Sequence, residues 1–330
     1  MIRHLLQLIW NQRKQNAWLW AELLLVSVFL WFLVDYLYVM GRTYTAPLGF
    51  DIRHTYSIVI SSLSERSPDY IPKEKRERPD GVHLLTALDR IRTYPGVESA
   101  CLTDGGMPYY MGSRNLVWRI DTLQVPCRYA FVTPEFFDVF RIYDKDGKTA
   151  SLKRAIEDNN SIVISADVET MNPGLSLLGQ KAYRGNVTDE IEETIRGISV
   201  PIRRHEYTKA EPNVYRALRL SRMEEGYYEG MIDAVRLCVR VRPDVDNADF
   251  PTRFRKDMAE QLRLGNLYLL DVQPLSYIRD GYIRSIGVEN EVKTRVAVAA
   301  SYWRIYSSAS SVPSGSVRNI AKARWGLGWP

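Results

Sequence analysis

The sequence predicts an α+β fold in which one N-terminal transmembrane helix carries a domain built on a split ferredoxin-like subdomain. A second mixed α/β subdomain is inserted into the first. Three observations predict this. A single apolar segment, Ala17 to Met40, is long enough to cross a bilayer. A strand–helix–strand pattern occurs twice, over residues 50–103 and 233–275. The stretch between the copies, residues 104–232, carries strands of its own.

Composition sets the frame. The chain has 330 residues, 45% apolar and 25% charged, with 44 Lys and Arg against 39 Asp and Glu for a net charge of +5. A mean hydropathy of −0.25 excludes a polytopic membrane protein as the chain stands. Eleven per cent aromatics excludes a disordered chain, and a charge this small is no nucleic-acid footprint. Three cysteines without a CxxC pair exclude a zinc ribbon.

Residues 1–16 read as an amphipathic interfacial helix. Ile2, Leu5, Leu6, Ile9 and Trp10 fall on one face, with Arg3, His4, Gln7 and Arg13 opposite. Residues 17–40 read as the span: Leu23 to Val34 is apolar except Ser27, and Trp18, Trp20, Trp31, Tyr36 and Tyr38 supply aromatic belts. Twenty-four helical residues reach about 36 Å, against a hydrocarbon core of roughly 30 Å. Glu22 and Asp35 lie near its ends, at headgroup level or against a neighbouring helix. No small-residue cleavage site follows in Tyr38 to Arg42, so the reading is an uncleaved anchor. Arg3, Arg13 and Lys14 before the span against Arg42 and Arg53 after it lean toward a cytoplasmic N-terminus with the main domain outside.

Beyond the span, Tyr56 to Ser61 alternates as a strand, Ser64 to Asp80 is a proline-punctuated loop, and His83 to Thr93 is a helix stopped at Pro95-Gly96. Val97 to Thr103 is the next strand. The second copy runs as strand Ala234 to Arg242, helix Ala248 to Arg263 and strand Leu267 to Val272. In the first of these, Val235, Leu237, Val239 and Val241 alternate with Arg236, Cys238, Arg240 and Arg242. The inserted stretch predicts strands at Leu116 to Ile120, Val125 to Val132, Ser161 to Ile164 and Ile195 to Ile202. It also predicts a short helix with Thr133 as N-cap, Pro134 at N1 and Glu135 in its first turn. Cys101 and Cys127 can pair in an oxidising space, and the odd count leaves at least one thiol free.

No catalytic, cofactor-binding or metal-ligating set emerges, so the chain is read as no enzyme and as needing no cofactor. Gly147-Lys148-Thr149 lacks the earlier glycine of a phosphate loop, where Ile142 stands. Asp144 and Asp146 are followed by Lys148 where a calcium loop needs a further ligand. His205-Glu206 lacks a second histidine, and His4, His54, His83 and His205 form no cluster. Gly105-Gly106 reads as a turn. Arg203-Arg204 and Lys73 to Arg78 read as solvated loop charge without interleaved aromatics, so no nucleic acid is expected as a partner.

Several segments, in order, carry a family likeness. Tyr129 to Phe140, Y-A-F-V-T-P-E-F-F-D-V-F, is similar to a V-s-P-e-F-F-x-v-F pattern. Ser161 to Ser165 followed by Pro173 to Gln180 is similar to v-V-I-s … p-x-G-k. Thr194 to Ile198 is similar to v-V-G-v, and Val239 to Pro243 to v-R-v-k-p. Behind an N-terminal span, this order resembles ABC-transporter permeases of the MacB/FtsX type over roughly residues 1–300. The resemblance implies a porter-like half at 50–103 and 233–275 in a periplasmic core domain, with the second subdomain at 104–232. It implies location in the inner (plasma) membrane, and as partners an ABC-type ATPase subunit and a second permease copy besides the lipid bilayer. No catalytic residues follow from it, because such a permease has none.

The family's next span is expected near residue 297, reached by a stalk helix over 276–300. Ser301 to Pro330 instead reads as an unstructured basic tail, with seven serines and no acid. A frameshift accounts for it: with TCN serine codons the shifted frame encodes an apolar segment, so the expectation is a truncated permease. The alternative function is a single-pass envelope sensor or interaction protein with an extracytoplasmic ligand-binding domain. A membrane-anchored hydrolase is disfavoured by the lack of a nucleophile–base pattern.

Overall fold

The computed structural model describes residues 17–112, 114–185 and 190–310, so the N-terminal amphipathic helix and most of the basic tail lie outside the described residues. The fold is mixed α/β and divides into two compact units. One comprises residues up to Arg42 and from Ile283 onward, the other Thr43–Tyr282. The first helix, α1 (Ala17–Thr45), holds the candidate span Trp20–Thr45, of which nothing is buried. Among the described residues it is the one helix long and apolar enough to cross a membrane. It outruns the expected 17–40 by five residues, because a lone Gly41 does not stop it and the first proline comes at Ala46-Pro47, where proline restricts the preceding residue.

The unit Thr43–Tyr282 begins with β1 (Thr55–Ser62), α2 (Asp80–Arg92) and β2 (Val97–Asp104). There follow β3 (Asn115–Ile120), β4 (Leu123–Val132), α3 (Phe136–Val139), α4 (Ala150–Ala155), β5 (Ser161–Ser165) and α5 (Asp167–Met171). Next come β6 (Lys181–Arg184), β7 (Ile191–Ser199), β8 (Asn213–Ala217) and α6 (Leu220–Glu224), then β9 (Val235–Val241), α7 (Phe250–Met258) and β10 (Leu267–Pro274). The outer strands assemble antiparallel in the order β10-β1-β9-β2. Their alternation decides the packing. Val235, Leu237, Val239 and Val241 bury with Leu84, Leu88 and Ile91 of α2 and Phe250, Phe254 and Met258 of α7, forming one core.

The opposite face of this sheet, where alternation predicts solvent, is covered by a second core. Cys101 and Cys238 lie there with Phe136, Phe137 and Phe140 of the F-F-D-V-F segment, Val163 of β5 and Tyr215 of β8. Arg240 is completely buried on the same face. Its Nε donates to the Val139 carbonyl, and its two terminal nitrogens donate to the carbonyls of Arg53 and Asp51, each at 2.7 Å. Thr133 does not cap the helix that follows it. Its hydroxyl accepts the Leu102 N–H of β2 at 3.2 Å and its carbonyl accepts the Phe136 N–H, so the helix begins three residues later. Glu135 pairs with Arg92 at 2.9 Å.

The inserted strands close on themselves. β4 pairs with β3, β3 with β6, β6 with β7, β7 with β5, β5 with β8, and β8 returns to β4. Six strands in a ring make a small barrel, whose interior is the third core: Trp118, Ile120, Val125, Cys127, Ile164 and Ile195 among others. Two of its strands, β6 and β8, were not anticipated. Both carry arginines on the inward parity, Arg184 and Arg216, which mask the apolar alternation a strand displays. All three thiols are free and buried. Cys101 stands opposite Cys238 in the β2–β9 ladder, whereas Cys127 belongs to the barrel interior, so the pairing left open for Cys101 and Cys127 is not formed.

After β10 the chain continues as α8 (Leu275–Ile286) and α9 (Val288–Ser310). The stalk expected as one helix is thus two, separated by Gly287 at φ 68°, a left-handed conformation that only glycine adopts freely. The second helix runs through Ser301–Ser310, where an unstructured tail was expected. Serine does not forbid a helix, and Glu291–Arg295 and Glu289–Lys293 pairs one turn apart support it. Within this unit the Arg295 guanidinium lies 4.7 Å from the Tyr36 ring of α1.

Candidate functional site

Two polar constructions stand out in the unit Thr43–Tyr282. The first is the open end of the barrel, a cavity of about 340 Å³. Its floor is an ion pair inside the barrel. Glu193 of β7, 1% exposed, accepts from Arg216 Nε at 2.7 Å and from Trp118 Nε1 at 3.3 Å, with Arg184 Nε 3.3 Å away. Burial draws the Arg216 guanidinium below its ordinary pKa, against the opposing pull of Glu193. One wall is aromatic: Tyr129 and Phe131 of β4 stack edge-to-face, and both Arg216 and Arg114 lie over the Phe131 ring, at 5.0 and 5.9 Å.

The rim adds charge. Arg114 pairs with Asp104 at 2.8 Å, and burial pushes that carboxyl up against the opposing effect of Arg114. Tyr228, beside Asp104, has its phenol pushed up to about 12 by burial and that carboxylate. Arg219 reaches only a backbone carbonyl, that of Asn159 at 3.5 Å, and Arg222 lies over the Tyr227 ring at 5.1 Å. Neither has a carboxylate partner among the described residues. Five guanidiniums therefore face one lining carboxylate, with Glu193 beneath them.

The second construction is the loop over residues 203–208, where the chain segments that enter and leave this unit meet. Arg203 was expected as solvated charge; it is buried instead. It donates to the carbonyls of Thr43 and Ala46, both at 2.5 Å, and to those of Thr208 and Glu206. Carbonyls at a helix end lack intrahelical partners, and a guanidinium fork supplies five N–H donors from three nitrogens, enough for all four carbonyls. Glu206 accepts from Arg279 Nε of α8 at 2.5 Å and from the Tyr109 hydroxyl at 2.9 Å. Burial works to raise its pKa, but the bonds from Arg279, its own backbone and Tyr109 outweigh it and hold the carboxyl below the usual range.

The remaining fragments carry structure. Asp144 Oδ1 accepts the N–H groups of Asp146 and Lys148 and its other oxygen takes the Ser151 hydroxyl, which occupies the carboxylate within a turn. His54 Nδ1 lies 2.5 Å from Asp246, and burial lowers the pKa of both His83 and His205. Among the described residues no three His, Cys, Asp or Glu side chains gather as a metal site. The barrel mouth was invisible in the sequence, since its five arginines come from three separate segments, around Arg114, Arg184 and Arg216–Arg222.

No family model matches the chain, and no curated protein matches it. Solved structures do. The chain is similar to a domain of a protein described as a permease from Porphyromonas gingivalis, at 19% identity and a TM-score of 0.45, covering 69% of this chain and 92% of that one. It is similar to the extracellular domain of the noncanonic ABC-type transporter YknZ from Gram-positive bacteria, at 12% identity, TM-score 0.38, covering 65% and 100%. It is also similar to the periplasmic region of MacB from Actinobacillus actinomycetemcomitans, at 10% identity, TM-score 0.38, covering 74% and 97%.

Proposed function

We propose that this chain is a membrane-anchored permease subunit of an ABC transporter of the MacB/FtsX type. In this reading it works with a separate ATPase and a second permease copy in the inner membrane, its N-terminus cytoplasmic and its main domain periplasmic. The strand order β10-β1-β9-β2 supports reading the outer strands as a split ferredoxin-like, porter-like subdomain with the ring of six strands as the inserted one. Transport of this kind needs motion at the membrane to reach the outer domain through stiff connections. The observation that carries the reading is the loop over residues 203–208. Three residues apart, Arg203 holds the carbonyls of Thr43 and Ala46, and Glu206 holds Arg279 of α8. The segments that enter and leave the domain are fastened to the same short piece of chain. Arg203 and Glu206 sit in it among buried groups, so displacement of either segment is transmitted and not absorbed.

The test is extraction of the tagged full chain from its native membranes in mild detergent, followed by assay of vanadate-sensitive ATP hydrolysis. Co-purifying hydrolysis is expected, with a stimulated rate that drops severalfold in an E206Q/R279Q double variant that still retains the ATPase. A preparation free of such hydrolysis overturns the reading.

A further inference from the structure

We propose that the open end of the six-stranded barrel is a binding site for a small oxyanion, a carboxylate or phosphate, attached to a compact apolar body. The inference does not depend on the transport reading, because it rests on the cavity alone. A volume of about 340 Å³ lies at the lower end of the range of small-molecule sites, and barrel mouths are places where such sites form. Two chemistries meet there. Phe131 and Tyr129 present aromatic surface on one wall, while Arg219 and Arg222 stand at the rim with no carboxylate partner among the described residues. A planar guanidinium matches a carboxylate or phosphate in two parallel hydrogen bonds.

The deeper charges explain why the rim is left over. Glu193 is engaged by Arg216, Arg184 and Trp118, and Asp104 by Arg114, so these two carboxylates, among the described residues, are already committed. Excess positive charge in a concave site with low-dielectric walls raises the local concentration of anions. A bare inorganic ion satisfies only the rim, and a neutral aromatic only the wall. A ligand with both parts satisfies the two together.

The full chain, purified in detergent, is titrated calorimetrically with phenyl phosphate, phenylacetate, inorganic phosphate and phenol. At least one of the two bifunctional probes is expected to bind at submillimolar concentration, with phosphate and phenol each weaker by about tenfold or more. Which of the two binds identifies the oxyanion. An R219Q/R222Q variant is expected to lose about tenfold or more in affinity. Asp104→Asn, which removes the competing carboxylate, is expected to gain severalfold, a result that misfolding cannot produce. Failure of both bifunctional probes to bind at 10 mM, roughly tenfold above the expected range, overturns the proposal. So does binding that the double variant leaves unchanged.

Discussion

Glu206 shows how a single carboxyl is controlled by its surroundings. Desolvation alone favours its neutral form, yet Arg279 and Tyr109 aim donors at it and the ionised form prevails. A carboxyl whose folded pKa lies below its ordinary 4.5 contributes stability above that value and loses it as pH falls through the depressed pKa. Urea unfolding at a series of pH values below about 4.5 is therefore expected to show stability falling more steeply in the native chain than in Glu206→Gln, which has no proton to take up. Arg240 makes the complementary point. In the sequence it is one of four charged or polar residues alternating with valines and leucine, the pattern of a strand with one wet face. In the folded chain that face is dry, and the guanidinium ties three carbonyls from two separate segments to the sheet.

At the scale of elements, the F-F-D-V-F segment packs between the ring of six strands and the outer sheet. Phe136 and Phe137 pack on Tyr215 of the barrel, at 5.5 and 5.6 Å between ring centroids, while the same core reaches Cys101 and Cys238 of the outer sheet. Phe137 is fully buried. Truncation to alanine is expected to cost about 3–5 kcal/mol, seen as a shift of the urea midpoint with little change in slope. Gly197 in β7 has an equally concrete reason. A Cβ there would stand 2.8 Å from Val163 and 3.0 Å from Ala155, so α4 and β5 pack against the strand only because the side chain is missing.

For the whole molecule, all three cores draw their members from between Phe50 and Ile278. The segment 43–282 is therefore expected to fold without α1 or α9. Expressed alone, it should remain soluble and unfold in one cooperative urea transition. Loss of near-ultraviolet circular dichroism in that fragment would show that the helices are required for the fold. The apolar helix α1 contributes a different quantity: exposed apolar length, with nothing in its candidate span buried.

An unbroken apolar run determined the candidate span, and local apolar patterning determined both strand–helix–strand copies and four of the six barrel strands. The short strands with inward arginines, the breadth of α1 and the division at Gly287 were less legible, since each depends on where a pattern is interrupted. Nothing local marks Arg240 or Arg203 as buried, or Arg114 and Arg184 as neighbours of the Arg216–Arg222 stretch. Those facts arise when the ring of strands closes and the second face of the outer sheet is covered. A charge is placed by what surrounds it in space, and for these residues the surroundings come from segments as far as 189 positions away along the chain.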